Sequence, residues 1–252
     1  VRIWDLDTGE AQVLRGHAAG VRNLAFSGDG QTFYSSDDDE HLHRWDLATG
    51  EGAQVDYCGA NNFPWTERAI GCMTPHAVIL HDLRTGARTV LPSDGVKLSY
   101  NGILSPDERW VAAGTTTSAV QLWDRDAGTV RSLHWPGVIA GNNTTREMRF
   151  SPDSRHLAIP LGSNYLGVWD LQTGGDPTLY RPHAGYTRRV AFSADGALIA
   201  SVGGDNSVKV IDRASASERA LIGTPAFLID AQFSRDGRHL ASVGNDPRVF
   251  LW

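Results

Sequence analysis

The chain has 252 residues, with 23 Lys and Arg against 29 Asp and Glu and a formal net charge of −6. Its basic residues are interleaved with acids rather than gathered into a stripe, which argues against a nucleic-acid partner, and no run approaches the ~18 apolar residues that a membrane span needs. The two cysteines, Cys58 and Cys72, have no close Cys or His neighbour, so neither a disulfide framework nor a zinc ribbon is expected and a reducing, cytoplasmic setting fits.

In chain order, a Trp-Asp pair or its equivalent recurs at Trp4, Trp45, His81, Trp123, Trp169, Ile211 and Trp252, at intervals of 41, 36, 42, 46, 42 and 41 residues. A period near 40 marks a repeat architecture. A second landmark, a Ser-x-Asp turn, begins at Ser27, Ser105, Ser151, Ser193 and Ser234, always 18 residues before the Trp position. Counting back the same distance from His81 reaches Phe63 and Pro64, so the second copy keeps its length although its side chains have drifted. All length variation falls between one Trp position and the next turn, which is how one supersecondary unit joined by surface loops behaves.

Inside the unit, apolar residues alternate with period two, the signature of strands. Three before the Trp position stand Val1, Leu42, Val78, Val120, Leu166, Val208 and Val249; one before stand Ile3, Arg44, Leu80, Leu122, Val168, Val210 and Leu251. Arg44 interrupts an apolar row, and pairing with a nearby acid is the expected remedy for its charge. After the Trp comes Asp and then a hairpin turn closed by Gly9, Gly50, Gly86, Gly128 or Gly174, where glycine tolerates φ > 0. Each copy therefore holds four short strands, and no helical periodicity is present.

Gly16-His17, the Ser27 turn, the acidic turn at Asp37 to Asp39 and Trp45-Asp46 together resemble the WD-repeat family of β-propellers, with Asp-Leu-x-Thr-Gly endings common in bacterial members. The resemblance covers essentially all of residues 1–252 and implies an all-β propeller of four-stranded antiparallel blades: five complete blades with partial blades at both ends. The 25 strands so assigned fit an excerpt of a seven-blade ring better than a closed ring of six, and an excerpt of a larger multidomain protein is expected. The family's structural tetrad of His, Ser, Asp and Trp maps onto His17, Ser35, Asp39 and Trp45 in the first full copy. In the copy before the last it maps onto His183, Ser201 and Asp205, with Ile211 in place of Trp. The last copy supplies Ser242, Asp246 and Trp252, with Thr224 in place of His.

The stretch SSDDDEHLHRWD from Ser35 raises a metal site, because His41 and His43 lie i, i+2 on one strand beside four acids. A solvated strand and turn is preferred, since Asp39 matches the structural Asp and Ser207 and Lys209 stand at the matching positions of another copy. No metal and no cofactor is expected. No Gly-x-Ser-x-Gly, phosphate-binding glycine loop or His-Glu-x-x-His occurs. The resemblance implies a protein- or peptide-binding face at the loops entering the first strand and at the second-to-third strand turns, onto which Arg22, Asp38, Tyr100, Arg146, Arg188 and Asn245 map. Trp135, in the connector HWPGVIAGNNTT, offers a further contact. The expected function is a non-enzymatic scaffold or sensing module for protein contacts. The alternative is a propeller hydrolase or lactonase-like enzyme with a metal in its central channel.

Overall fold

The computed structural model describes residues 1–27, 29–57, 66, 68–117, 119–135, 147–161, 164–223 and 227–252. Among the described residues all regular structure is strand, arranged as successive antiparallel meanders in which every strand pairs with a sequence neighbour. No helix long and apolar enough to cross a membrane occurs among the described residues. The chain divides into two compact units, Val1–Gly102 and Ile103–Trp252.

The first unit opens with β1 (Arg2–Trp4) and β2 (Ala11–Val13), a two-stranded ribbon. A four-stranded sheet follows: β3 (Val21–Phe26), β4 (Thr32–Asp37), β5 (His41–Asp46) and β6 (Gly52–Tyr57). The next sheet shows three strands, β7 (Ala69–Thr74), β8 (Ala77–Asp82) and β9 (Arg88–Pro92); the segment expected to hold its first strand lies outside the described residues. Leu14, Phe33 and Trp45 pack with Val1, Ile3 and Leu47 between ribbon and sheet, and Tyr34, Leu42, Ile70, Cys72, Ile79 and Leu83 fill the next layer.

The second unit takes in a four-stranded sheet of β10 (Leu98–Leu104), whose first residues lie in the first unit, with β11 (Trp110–Thr115), β12 (Val120–Asp124) and β13 (Thr129–Leu133). Next come β14 (Arg149–Phe150), β15 (His156–Pro160), β16 (Leu166–Asp170) and β17 (Thr178–Tyr180), then β18 (Thr187–Phe192), β19 (Leu198–Gly203), β20 (Val208–Asp212) and β21 (Glu218–Leu221). A three-stranded sheet of β22 (Leu228–Phe233), β23 (Leu240–Gly244) and β24 (Phe250–Leu251) ends the chain. In the interior copies the two rows of the third strands are buried except at Arg44, which is exposed, and Val210, which is half-buried, whereas Val249 and Leu251 in the last copy are exposed.

Two side-chain devices explain why the same turns recur. In each Ser-x-Asp turn the hydroxyl of Ser27, Ser105, Ser151, Ser193 or Ser234 donates to the Asp two residues on. The same oxygen accepts the amide five residues on, at 2.9–3.0 Å. After each Trp position, Asp5, Asp46, Asp82, Asp124, Asp170 or Asp212 accepts the amides two and three residues on and folds the hairpin. These are Asx turns, which satisfy loop amides that the ladders leave free. The hairpin ends on a glycine of positive φ in five copies, while Ala216 takes that place, at φ 55°, after Asp212.

Three expectations need correction. Arg44 makes no ion pair among the described residues; it is exposed at the sheet surface. Trp135 is buried against Trp169 with ring centroids 5.8 Å apart, so it belongs to the core. Cys72 is disulfide-bonded, which removes the sequence argument for a reducing compartment.

Candidate functional site: two hydrogen-bonded locks and an aromatic-arginine cluster

In the sheet of β3–β6, the Trp45 indole N–H donates to Ser35 Oγ at 2.8 Å, and Ser35 lies 2.5 Å from His17 Nε2. The Nδ1 of His17 is 2.6 Å from Asp37 Oδ2. A carboxylate only accepts, so Nδ1 carries the proton and Nε2 takes the Ser35 hydroxyl. Asp37 Oδ1 in turn accepts the amides of Asp39 and His41. Burial pushes the Asp37 carboxyl up, but the His17 hydrogen bond and the His41 amide outweigh it and hold the carboxyl below its ordinary value. Gly16 is part of the device: a Cβ there would lie 3.0 Å from the Trp45 ring.

The carboxylate of this lock is thus Asp37 and not Asp39, which is exposed and contributes only its amide. The reason lies in the register. Asp37 opposes Val21 as Gly203 opposes Thr187 and Gly244 opposes Leu228. Where that position is glycine, the imidazole lies over it and reaches onward to the turn: a Cβ at Gly203 would stand 2.3 Å from the His183 ring. Where it is aspartate, the carboxylate itself meets the ring. An acid two residues after the Ser, in place of glycine, was the signal available in the sequence.

The second lock joins His183 Nδ1 to Asp205 Oδ1 at 2.8 Å and His183 Nε2 to Ser201 Oγ at 3.0 Å. Ser207 and the Ala184 amide also bond Asp205, and Ile211 fills the Trp position without a polar atom. Burial pushes the His183 imidazole down, against the pull of Asp205. In the last sheet the Trp252 indole donates to Ser242 Oγ at 3.0 Å. Asp246 there is gripped by both forks of Arg248, which draws its pKa down to about 2, and Thr224 lies outside the described residues. His81, in the copy without a Trp, is bonded through Nε2 to Asp56 Oδ2 at 3.0 Å, and Arg88 holds the same carboxylate.

The six residues mapped to a binding face meet different fates. Arg22 and Asp38 form an ion pair with each other. Arg146 and the Tyr100 side chain lie outside the described set. In the second unit Arg188 lies over the Phe227 ring, 4.7 Å from its centroid, and Tyr186, 43% exposed, approaches the same ring at 6.5 Å. The Asn245 amide donates to the Phe227 carbonyl at 2.9 Å. Phe227 and Tyr186 were not singled out by the sequence, because they stand in connectors that carry no repeat signal.

A WD domain, G-beta repeat model matches residues 9–46 and 177–212, the segments that contain the two locks. The two segments are thus similar to WD40 repeats, and the successive antiparallel sheets match β-propeller structures over the full chain. The chain superposes over its whole length on a chain of a structure titled "Crystal Structure of Mitotic Checkpoint Complex", with TM-score 0.65, 16% identity and 80% of that chain covered. It superposes likewise on the β-propeller domain of Cps50 (Swd1) from Myceliophteria thermophila, with TM-score 0.62, 20% identity and 89% of that chain covered. In sequence it is 20% identical to apoptotic protease-activating factor 1 of Rattus norvegicus over 100% of this chain and 23% of the relative. It is 24% identical to the LST8 homolog of Drosophila melanogaster over 82% of this chain and 57% of the relative. The chain therefore spans between about a quarter and about three fifths of the length of these curated relatives. WD40 propellers are typically protein-interaction scaffolds.

Proposed function

We propose that this WD40 chain is a non-catalytic interaction module of a longer protein, and that Tyr186, Arg188, Phe227 and Asn245 form part of its partner-binding surface. The observation that carries the reading is the Arg188 guanidinium laid on Phe227 beside the exposed Tyr186, with no acidic partner for Arg188 among the described residues. Tyr and Arg dominate interface hot spots because each combines large apolar area with a directional polar end. A half-buried aromatic-guanidinium pair beside an exposed tyrosine suits an extended peptide or loop whose carboxylate or carbonyl groups reach Arg188 while an apolar side chain rests on Tyr186. The longer relatives, and a structural relative found within a complex, support the same reading.

The test is quantitative affinity capture followed by binding measurements with the partner recovered. Tyr186→Ala with Arg188→Ala should abolish capture of partners that the unaltered chain retains. Arg44→Ala, an exposed arginine of the first unit, should leave them in place. Partners retained undiminished by the double variant would refute the assignment of this surface.

A further inference from the structure

The first lock contains a residue that its hydrogen bonding does not account for. His43 follows the strand alternation onto the same side of the sheet as Trp45, stacks on the indole with centroids 5.6 Å apart, and lies 4.1 Å from the His17 ring centroid. It is only 9% exposed, and neither ring nitrogen has a hydrogen-bond partner among the described residues. The ring is largely covered, yet its nitrogens are not among the buried polar atoms that lack a partner, so they keep contact with solvent and are free to take a ligand. A nitrogen of His43, a nitrogen of His17 and an oxygen of Asp37 all lie within 4.8 Å of one another. His41 Nδ1 stands 3.6 Å from the other oxygen of Asp37.

We propose that His17, Asp37 and His43 form a structural binding site for a divalent transition ion of the zinc type, with His41 or solvent as the fourth ligand. Two imidazoles and a carboxylate are a borderline-soft donor set that suits such an ion in tetrahedral geometry. Tetrahedral ligands each about 2 Å from the metal are about 3.3 Å apart, so opening the 2.6 Å His17 to Asp37 contact by under 1 Å admits the ion. The His43 ring must close further, by roughly 1.5 Å at its widest separation, a shift within reach of χ rotation at a strand side chain. The ion replaces the proton on His17 Nδ1. The imidazole then carries its proton on Nε2 and donates it to Ser35 Oγ, whose two lone pairs accept both this N–H and the Trp45 indole N–H. Ser35 thereby becomes the outer support that fixes the orientation of a metal-bound histidine.

The second lock serves as a built-in contrast. It has its histidine and serine at the same positions, but its aspartate comes two residues later in the turn, and Lys209 stands where His43 does and bonds Glu218 at 2.9 Å. The metal site is independent of the partner-binding surface, which lies in the other unit.

After stripping with a chelator, the chain is titrated with Zn2+ by calorimetry and with Co2+ by visible absorption. One equivalent should bind, with the intense d–d bands of tetrahedral cobalt. His43→Gln should keep the far-UV circular dichroism and lose the cobalt bands, with Zn2+ affinity at least about tenfold weaker. No saturable binding up to roughly 100 μM Zn2+, or equal binding by His43→Gln, would overturn the site. If His43→Gln does not fold, the imidazole resonances of the unaltered chain decide. Joint shifts of His17 and His43 that saturate at one equivalent support the site; shifts confined to other histidines refute it.

Discussion

Ser35→Ala tests the first lock most directly, because one oxygen serves two buried partners. Its removal leaves the indole N–H of Trp45, which is 1% exposed, without an acceptor, and leaves His17 Nε2 without its donor. A buried polar group stripped of its partner costs about 1–3 kcal/mol, so two such groups put the loss at about 2–6 kcal/mol. Ser201→Ala in the second lock orphans only His183 Nε2, because Ile211 offers no N–H, and should cost about 1–2 kcal/mol. Ser242→Ala frees the indole of Trp252, which is only partly buried and can turn to water, so the loss should stay under about 1 kcal/mol. Urea unfolding followed by tryptophan fluorescence and circular dichroism should rank the three in that order. A Ser35→Ala loss no larger than that of Ser242→Ala would show that the lock is not what holds His17 and Trp45 in place.

Three further outcomes follow from other positions. Gly52→Ala would place a Cβ 2.1 Å from the Trp45 ring, and because an indole cannot bend aside this overpacking should cost about 3 kcal/mol by chemical denaturation. Ala216→Gly should instead stabilise by about 0.5–1 kcal/mol, since it replaces the Ala at φ 55° by the residue that the sister hairpins use; an unchanged unfolding midpoint would refute this. Acid should act in two stages in a pH series of thermal melts. Burial, the largest influence on each, holds His81, His156 and His183 below the ordinary 6.5, so the unfolded chain binds more protons and stability is full above about pH 6.5 and declines as pH falls below it. Asp205, held below 3.8 by bonds from Ser207 and Ala184 that outweigh its burial, adds a second loss as pH drops below about 4. A melting temperature flat between pH 7 and 5 would refute the first stage.

The repeating framework was legible in the sequence because its determinants are local. A Ser two residues before an Asp, or an Asp three or four before a Thr-Gly, closes its turn with bonds spanning no more than five residues, so spacing alone reveals it. The strand rows were legible for the same reason, since period two needs no tertiary information. The locks were only half legible. Their His, Ser and Trp positions are fixed by the meander, but the identity of the acid depends on whether the position after the first-strand bulge carries a side chain. A run of acids at Asp37, Asp38 and Asp39 makes spacing a poor guide there. Variable residues at the matching positions elsewhere point to a solvated strand residue at His43, yet the pairing of β4 with β5 and the Trp45 ring together bury it.

Arg22 and Arg188 hold the same place in the repeat, one residue after Val21 and Thr187, and sequence alone gave no ground for separating them. The difference comes from across the ladder. Next after Asp37 is Asp38, which pairs with Arg22, whereas next after Gly203 is Gly204, which has no charge to offer Arg188. Arg188 therefore settles on Phe227, a residue supplied by the connector into β22. Gly204 also governs Tyr186, since a Cβ there would stand 2.7 Å from the Tyr186 ring. The same glycine thus leaves the arginine unneutralised and gives the tyrosine room to lie beside it. The proposed interaction surface depends on an absence of side chain at one position, which a search for functional residue types passes over.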